Sequence, residues 1–251
     1  MRRHIVIILL LSVVSVAIRA QVGSHRNDFS VGFNAGYVLS DVGFTPKVSQ
    51  GYHSGFTGGL SAKYVCEKYF STICSILAEI NYSQGGWKED IRDGENNAVI
   101  NPVTGIAEKY SRTINYIQIP VFAHLAWGRE ERGLQFFFQA GPQMGIYLSE
   151  STSTNFDFDT RNTTDRSNTI AAQDTMSVEN KFDYGIAVGA GIEYSRPKLG
   201  HFLLEARYYY GLGNIYGDSK KDYFGKSNIG NIVFKLTYLF DITKTKKRTK
   251  G

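Results

Sequence analysis

Glu193, Glu205, Arg207 and Lys235 stand on one side of successive runs of alternating polarity, with Glu205 and Arg207 two residues apart. Same-face residues on paired strands lie about 5–8 Å from each other, within reach of these long side chains. In a narrow, poorly hydrated space, charges stay ionised only when paired. The four are therefore expected to form one connected Glu193–Arg207–Glu205–Lys235 network that closes a lumen. A proton or ion path through them is the sharper alternative. Nucleophilic catalysis needs a nucleophile, a base and an orienting acid in one patch. His124 has no Ser or acid at triad spacing and is expected to fill a lumen hydrogen bond, while His201 sits at a turn. No catalytic residue and no cofactor site follows, so the chain is not read as an enzyme.

Metal chemistry fares no better. Asp157-Phe158-Asp159 opens like a calcium loop, but Arg161 stands where a third oxygen ligand belongs. Cys66 and Cys74 are the only cysteines, and no His lies at zinc-ligand spacing from them. If Glu67 to Ile73 form a turn, the two cysteines face each other across a hairpin. Either a disulfide or two free thiols fits that arrangement.

The elements that hold these residues begin with an address. Residues 1–20 pair a basic start (Arg2, Arg3) with the apolar run Ile5–Leu11 and end at Ala17-Ile18-Arg19-Ala20. This is the pattern of a secretory signal peptide cut between Ala20 and Gln21, which puts the mature chain outside the cytoplasm. A short lead, 21–28, follows. Over the whole 251 residues the mean hydropathy is −0.23, and after residue 20 no stretch approaches the roughly 18–20 apolar residues of a spanning helix. A helical membrane bundle is excluded. The net charge of +5 sits at the two ends: between Gln21 and Phe240, 20 bases face 22 acids. A basic body that binds nucleic acid is not supported.

From Phe29 onward the dominant period is two. Phe29-Val31-Phe33-Ala35-Tyr37, Leu134-Phe136-Phe138-Ala140 and Phe182-Tyr184-Ile186-Val188-Ala190 alternate with mainly small or polar residues (Ser30, Gly32, Asn34 and Gly36; Gln135 and Gln139; Asp183, Gly185 and Gly189), and eight such runs fill the chain to Phe240. Each is long enough, at roughly 9–13 residues, to cross a bilayer as a tilted strand. The connections alternate strictly between long (Ser40–Gly55, Gln84–Arg112, Ser149–Lys181, Gly211–Asn228) and short (Glu67–Phe70, Gly128–Gly133, Ser195–Gly200). That sorting predicts an all-β, eight-stranded antiparallel transmembrane β-barrel over 29–240, with short periplasmic turns, long extracellular loops and a basic periplasmic tail at 241–251. Phe29, Tyr64, Trp127, Tyr194, Phe202 and Phe240 then form a periplasmic belt, and Tyr37, Phe56, Tyr82, Tyr184 and Tyr210 an outer one. Lipid takes the apolar faces. The lumen receives Lys63, Glu79, Asn81, Gln135, Gln139, Gln143 and Asp183 beside the four charges above.

Asn115-Tyr116-Ile117-Gln118-Ile119-Pro120, Ala140-Gly141-Pro142 and Arg207-Tyr208-Tyr209-Tyr210-Gly211-Leu212 resemble stretches of the PorT-like outer-membrane β-barrel family of Gram-negative bacteria. The resemblance covers nearly the whole mature chain. It implies an outer-membrane location and a link to protein secretion, although the chain departs from the usual barrel ending by running about eleven residues beyond Phe240. Asp174-Thr175-Met176 is similar to the O-glycosylation acceptor motif of such bacteria, with Thr175 as acceptor. The expected function is a structural or interaction barrel in outer-membrane lipid, with protein partners at its loops or its periplasmic side. The alternative is a narrow pore or a lipid-modifying barrel.

Overall fold

Strict alternation gives every run one face for lipid and one for a filled interior, and the only way to leave no strand edge in lipid is to close the sheet. A computed structural model describes residues 24–130, 132–217 and 223–245. Eight long strands make the wall: β1 Ser24–Thr45, β2 His53–Tyr69, β3 Thr72–Glu89, β4 Tyr110–Gly128, β5 Gly133–Thr154, β6 Phe182–Arg196, β7 Gly200–Gly211 and β8 Lys226–Thr243. Each pairs antiparallel with its chain neighbours, and β1 pairs with β8 from Phe29 opposite Thr243 to Thr45 opposite Lys226, so the ring is closed. A two-residue strand, Gln50–Gly51, adds to the end of β3. Among the described residues the one helical element is a 3-10 turn at Ala172–Asp174.

The assigned faces appear directly in burial. Leu60 is 67% and Phe136 68% exposed, whereas Gln139 and Lys235, on the other face, are 0% and 1%. The interior also holds apolar layers that the polar lumen reading omitted. Ile73, Ala126, Phe137, Leu203 and Leu239 pack together inside the barrel, and Leu77, Phe122, Ala187 and Tyr209 form a second layer. An eight-stranded barrel is just wide enough for side chains to fill, and bulk is needed as well as charge.

The boundaries differ from expectation at both ends and at the top. Ser24–Asp28, expected as a lead, is the start of β1, and the last strand continues past Phe240 to Thr243. The cut between Ala20 and Gln21 and the tail beyond Thr245 lie outside the described residues. β1 and β5 each run for 22 residues, well past the outer aromatic belt. Their extra length carries a folded cap. Val42, Phe44, Trp87, Tyr110, Ile114 and Phe156 bury one apolar cluster with Val178, Ile215, Tyr216 and Phe224 from the long loops.

Two prolines interrupt the wall. Pairing of β3 with β4 lapses at Glu79–Ile80 against Ile119–Pro120, and that of β4 with β5 at Val121–Phe122 against Gly141–Pro142, with register kept on either side. Proline has no N–H to give the ladder. The backbones still approach closely: a Cβ on Gly141 would stand 1.9 Å from the Val121 carbonyl oxygen, so only glycine fits there.

Cys66 and Cys74 are free thiols, and the disulfide weighed above is not formed. The turn is shorter than Glu67–Ile73, with Tyr69 already opposite Thr72. A bulge between Val65 and Glu67 also takes Cys66 out of the ladder and sets Glu67 opposite Cys74.

Candidate functional site

Each strand delivers its inward polar residue to a common axis, and the charges meet across the lumen more than along the wall. Glu79 on β3 is the hub. Arg207 on β7 donates to both its carboxylate oxygens, at 3.0 and 3.1 Å, and the Lys235 ammonium from β8 closes on Oε2. Arg207 Nε lies 2.7 Å from Glu205 Oε1, and the guanidinium sits 4.4 Å from the centre of the Phe122 ring. Asn81 and Asn34 extend the cluster toward Ser61 by 2.8 Å bonds. Two acids meet two bases, so the knot is neutral as a whole.

Glu193 belongs to a second knot, which corrects the single network expected from sequence. Register places Leu203 opposite Glu193 and Gly189 opposite Arg207, four residues away and so about 13 Å along the strand. Glu193 pairs with Lys63 from β2, with His124 Nε2 at 3.6 Å and with His201 Nδ1 at 2.9 Å. Among the described residues the knots touch through a relay: His124 Nδ1 lies 3.0 Å from Gln139 Oε1, and Gln139 Nε2 donates to Glu205 at 3.1 Å. Lys235, although directly opposite Glu205, reaches across to Glu79 instead.

At the periplasmic rim the fold assembles a serine, a histidine and an acid that sequence spacing hid, because Asp241 lies 40 residues from His201. Ser195 Oγ is 2.7 Å from His201 Nδ1, and His201 Nε2 is 3.0 Å from Asp241 Oδ1. With Glu193 also on Nδ1, carboxylates stand at both ring nitrogens and favour the doubly protonated ring. So protonated, the ring donates from both nitrogens, and the Ser195 hydroxyl donates to Glu193. The trio is a clasp tying β6, β7 and β8, with Ser30 of β1 donating to Asp241 at 2.8 Å. Beside it Arg26 and Lys68 both bind Glu130 in the β4–β5 turn.

The outer mouth is shut by ionic bonds within the apolar cap. Arg166, in the loop between β5 and β6, lies 2.9 Å from Glu108 and 3.7 Å from both Glu89 and Asp174, and Arg161 binds Asp174 at 2.9 Å. Arg112 donates to the Asp174 and Met176 carbonyls, while Gln173 donates to Glu89 at 2.7 Å. Burial and the neighbouring Asp174 carboxylate push Glu89 up to about 8. The Thr175 hydroxyl is exposed and bonds the Ala172 carbonyl at 3.5 Å, while Asp174 before it is buried. A clue to the cap was present in sequence, since alternation continues past Tyr82 through Ser83, Gly85, Trp87 and Glu89. The loop tip stands out: Ile100, Val103 and Ile106 are 49%, 71% and 59% exposed.

The family described as outer membrane protein beta-barrel domain matches residues 19–217. No curated protein matches the chain in sequence. Among solved structures, Neisserial surface protein A is similar at 12% identity and a TM-score of 0.41, covering 84% of this chain and 97% of that one. Ail, the attachment invasion locus protein of Yersinia pestis, in complex with a heparin analogue, gives 12% and 0.37 over 84% and 99%. OprG from Pseudomonas aeruginosa gives 13% and 0.35 over 87% and 98%.

Proposed function

The chain belongs to the outer membrane protein beta-barrel domain family, and from that premise we propose that it is a sealed, non-catalytic barrel whose outer cap and periplasmic rim hold partner proteins. The observation that carries this reading is closure at three depths: the cap, the two charge knots and the rim clasp. A pore would leave an aqueous path, and here Glu79, Lys63, Glu193 and Lys235 are each at most 4% exposed. The resemblance of Asn115–Pro120, Ala140–Pro142 and Arg207–Leu212 to PorT-like barrels supports a partner within a protein-secretion apparatus. Export by a signal peptide cut at Ala20–Gln21 and O-glycosylation at the exposed Thr175 belong to the same proposal.

Affinity capture of the tagged protein from outer membranes, followed by identification of what comes with it, tests the reading. The parent is expected to bring down secretion components, and Val103→Ser with Ile106→Ser is expected to lose those held at the cap. Planar-bilayer recording is the second arm. Steady, well-resolved conductance from the parent would put the pore reading in its place.

A further inference from the structure

The lipid face of the barrel is not uniformly filled. Ala62 on β2 stands directly opposite Ala78 on β3 in a row that runs on through Val31 of β1; the adjoining row of Phe33, Leu60 and Ile80 walls this small-residue floor on its outer side, and Phe240 closes its β8 end. The result is a groove of roughly 510 Å³ with an almost wholly apolar lining. The walls are not packed against protein: Phe33, Leu60, Ile80 and Phe240 are 60%, 67%, 58% and 43% exposed. The groove runs across the strands from β8 through β1, β2 and β3 to Ile119 of β4. Four strand spacings make it about 19 Å long.

Position and dimensions select the occupant. One end is Phe240, in the periplasmic aromatic belt, so the groove opens where the chains of the periplasmic leaflet begin. With strands tilted by roughly 45°, a 19 Å path across them covers about 13 Å of depth, close to the ~15 Å that one leaflet contributes to the hydrocarbon core. A flexible, unbranched chain fits a narrow trough with an alanine floor, whereas a second barrel presents a convex wall of large side chains. Burying methylenes against protein in place of mobile lipid gains dispersion contacts along the whole trough. We propose that this groove binds one fatty acyl chain of a phospholipid from the periplasmic leaflet and holds it more tightly than the surrounding lipid.

Native mass spectrometry of the full chain tests this, after extraction from vesicles of phosphatidylethanolamine and phosphatidylglycerol and progressive delipidation. The parent is expected to retain one phospholipid after the rest have gone. Ala62→Phe and Ala78→Leu, which fill the trough from the lipid side, are expected to lower that retention at least tenfold. Ala190→Phe, which adds the same bulk as Ala62→Phe to the lipid face of β6 away from the groove, is expected to leave it unchanged. Heat-modifiable gel mobility reports that each variant is a folded barrel. Retention lost equally in all three variants, kept in all, or absent from the parent would overturn the proposal. So would a parent dimer that the groove variants abolish, since the occupant would then be a second copy of the chain.

Discussion

Arg207 shows how much one side chain can carry. It neutralises Glu79 and Glu205 together, each at most 3% exposed, and removing it leaves two buried acids with Lys235 as their one base. Arg207→Met is expected to cost about 3–5 kcal/mol, read as the urea midpoint of the folded barrel in liposomes. Adding Glu79→Gln should recover part of that loss, because the second change removes an uncompensated acid; equal loss in both would mean the knot is not the cause. Glu89 gives a pH signature. Its carboxyl is raised from an ordinary 4.5 to about 8, so the folded cap holds the proton more tightly than the unfolded chain does. Stability contributed by the protonated form is complete below 4.5, declines as pH rises toward 8 and levels off above it. Protease cleavage within the 155–181 loop should therefore be faster for the parent at pH 9 than at pH 6. Glu89→Gln, which still accepts from Gln173, should flatten the difference.

Strand existence, facing and order were legible because a period of two survives in any half-lipid, half-filled wall: Phe136 and Gln135 declare their sides without help from the rest of the fold. Partner choice was not legible. Glu193 and Arg207 share a lumen, but the register that holds them four residues apart is a property of the paired strands, and the Glu79 hub is brought in from across the barrel. The clasp of Ser195, His201 and Asp241 was hidden for the same reason. At this scale Pro120 and Pro142 set the local strength of the wall. Restoring a donor with Pro120→Ala should mend the lapse between β3 and β4, slowing amide exchange at Ile80 and its neighbours at least tenfold and leaving β7 unaffected. Unchanged exchange would place the lapse in the wall's curvature instead of the missing N–H.

The whole molecule is sided, with a folded cap at one end and turns of a few residues at the other. An epitope placed beside Asn162 should be reachable on intact cells and one in 129–133 should not, and labelling in the reverse sense would invert the orientation. Closure of the ring has a kinetic meaning too. Phe29 meets Thr243 across the β1–β8 seam, so the first strand made must wait for the last. Bringing together ends separated by about two hundred residues costs roughly 5 kcal/mol of chain entropy before any seam bond forms, and until then β1 and its growing partner sheet expose two unpaired edges. A chain stopped short of Lys226 therefore keeps both edges open permanently. The barrel has no partially assembled form that lipid can accept, and folding into the membrane is forced to be late, concerted and dependent on a complete chain.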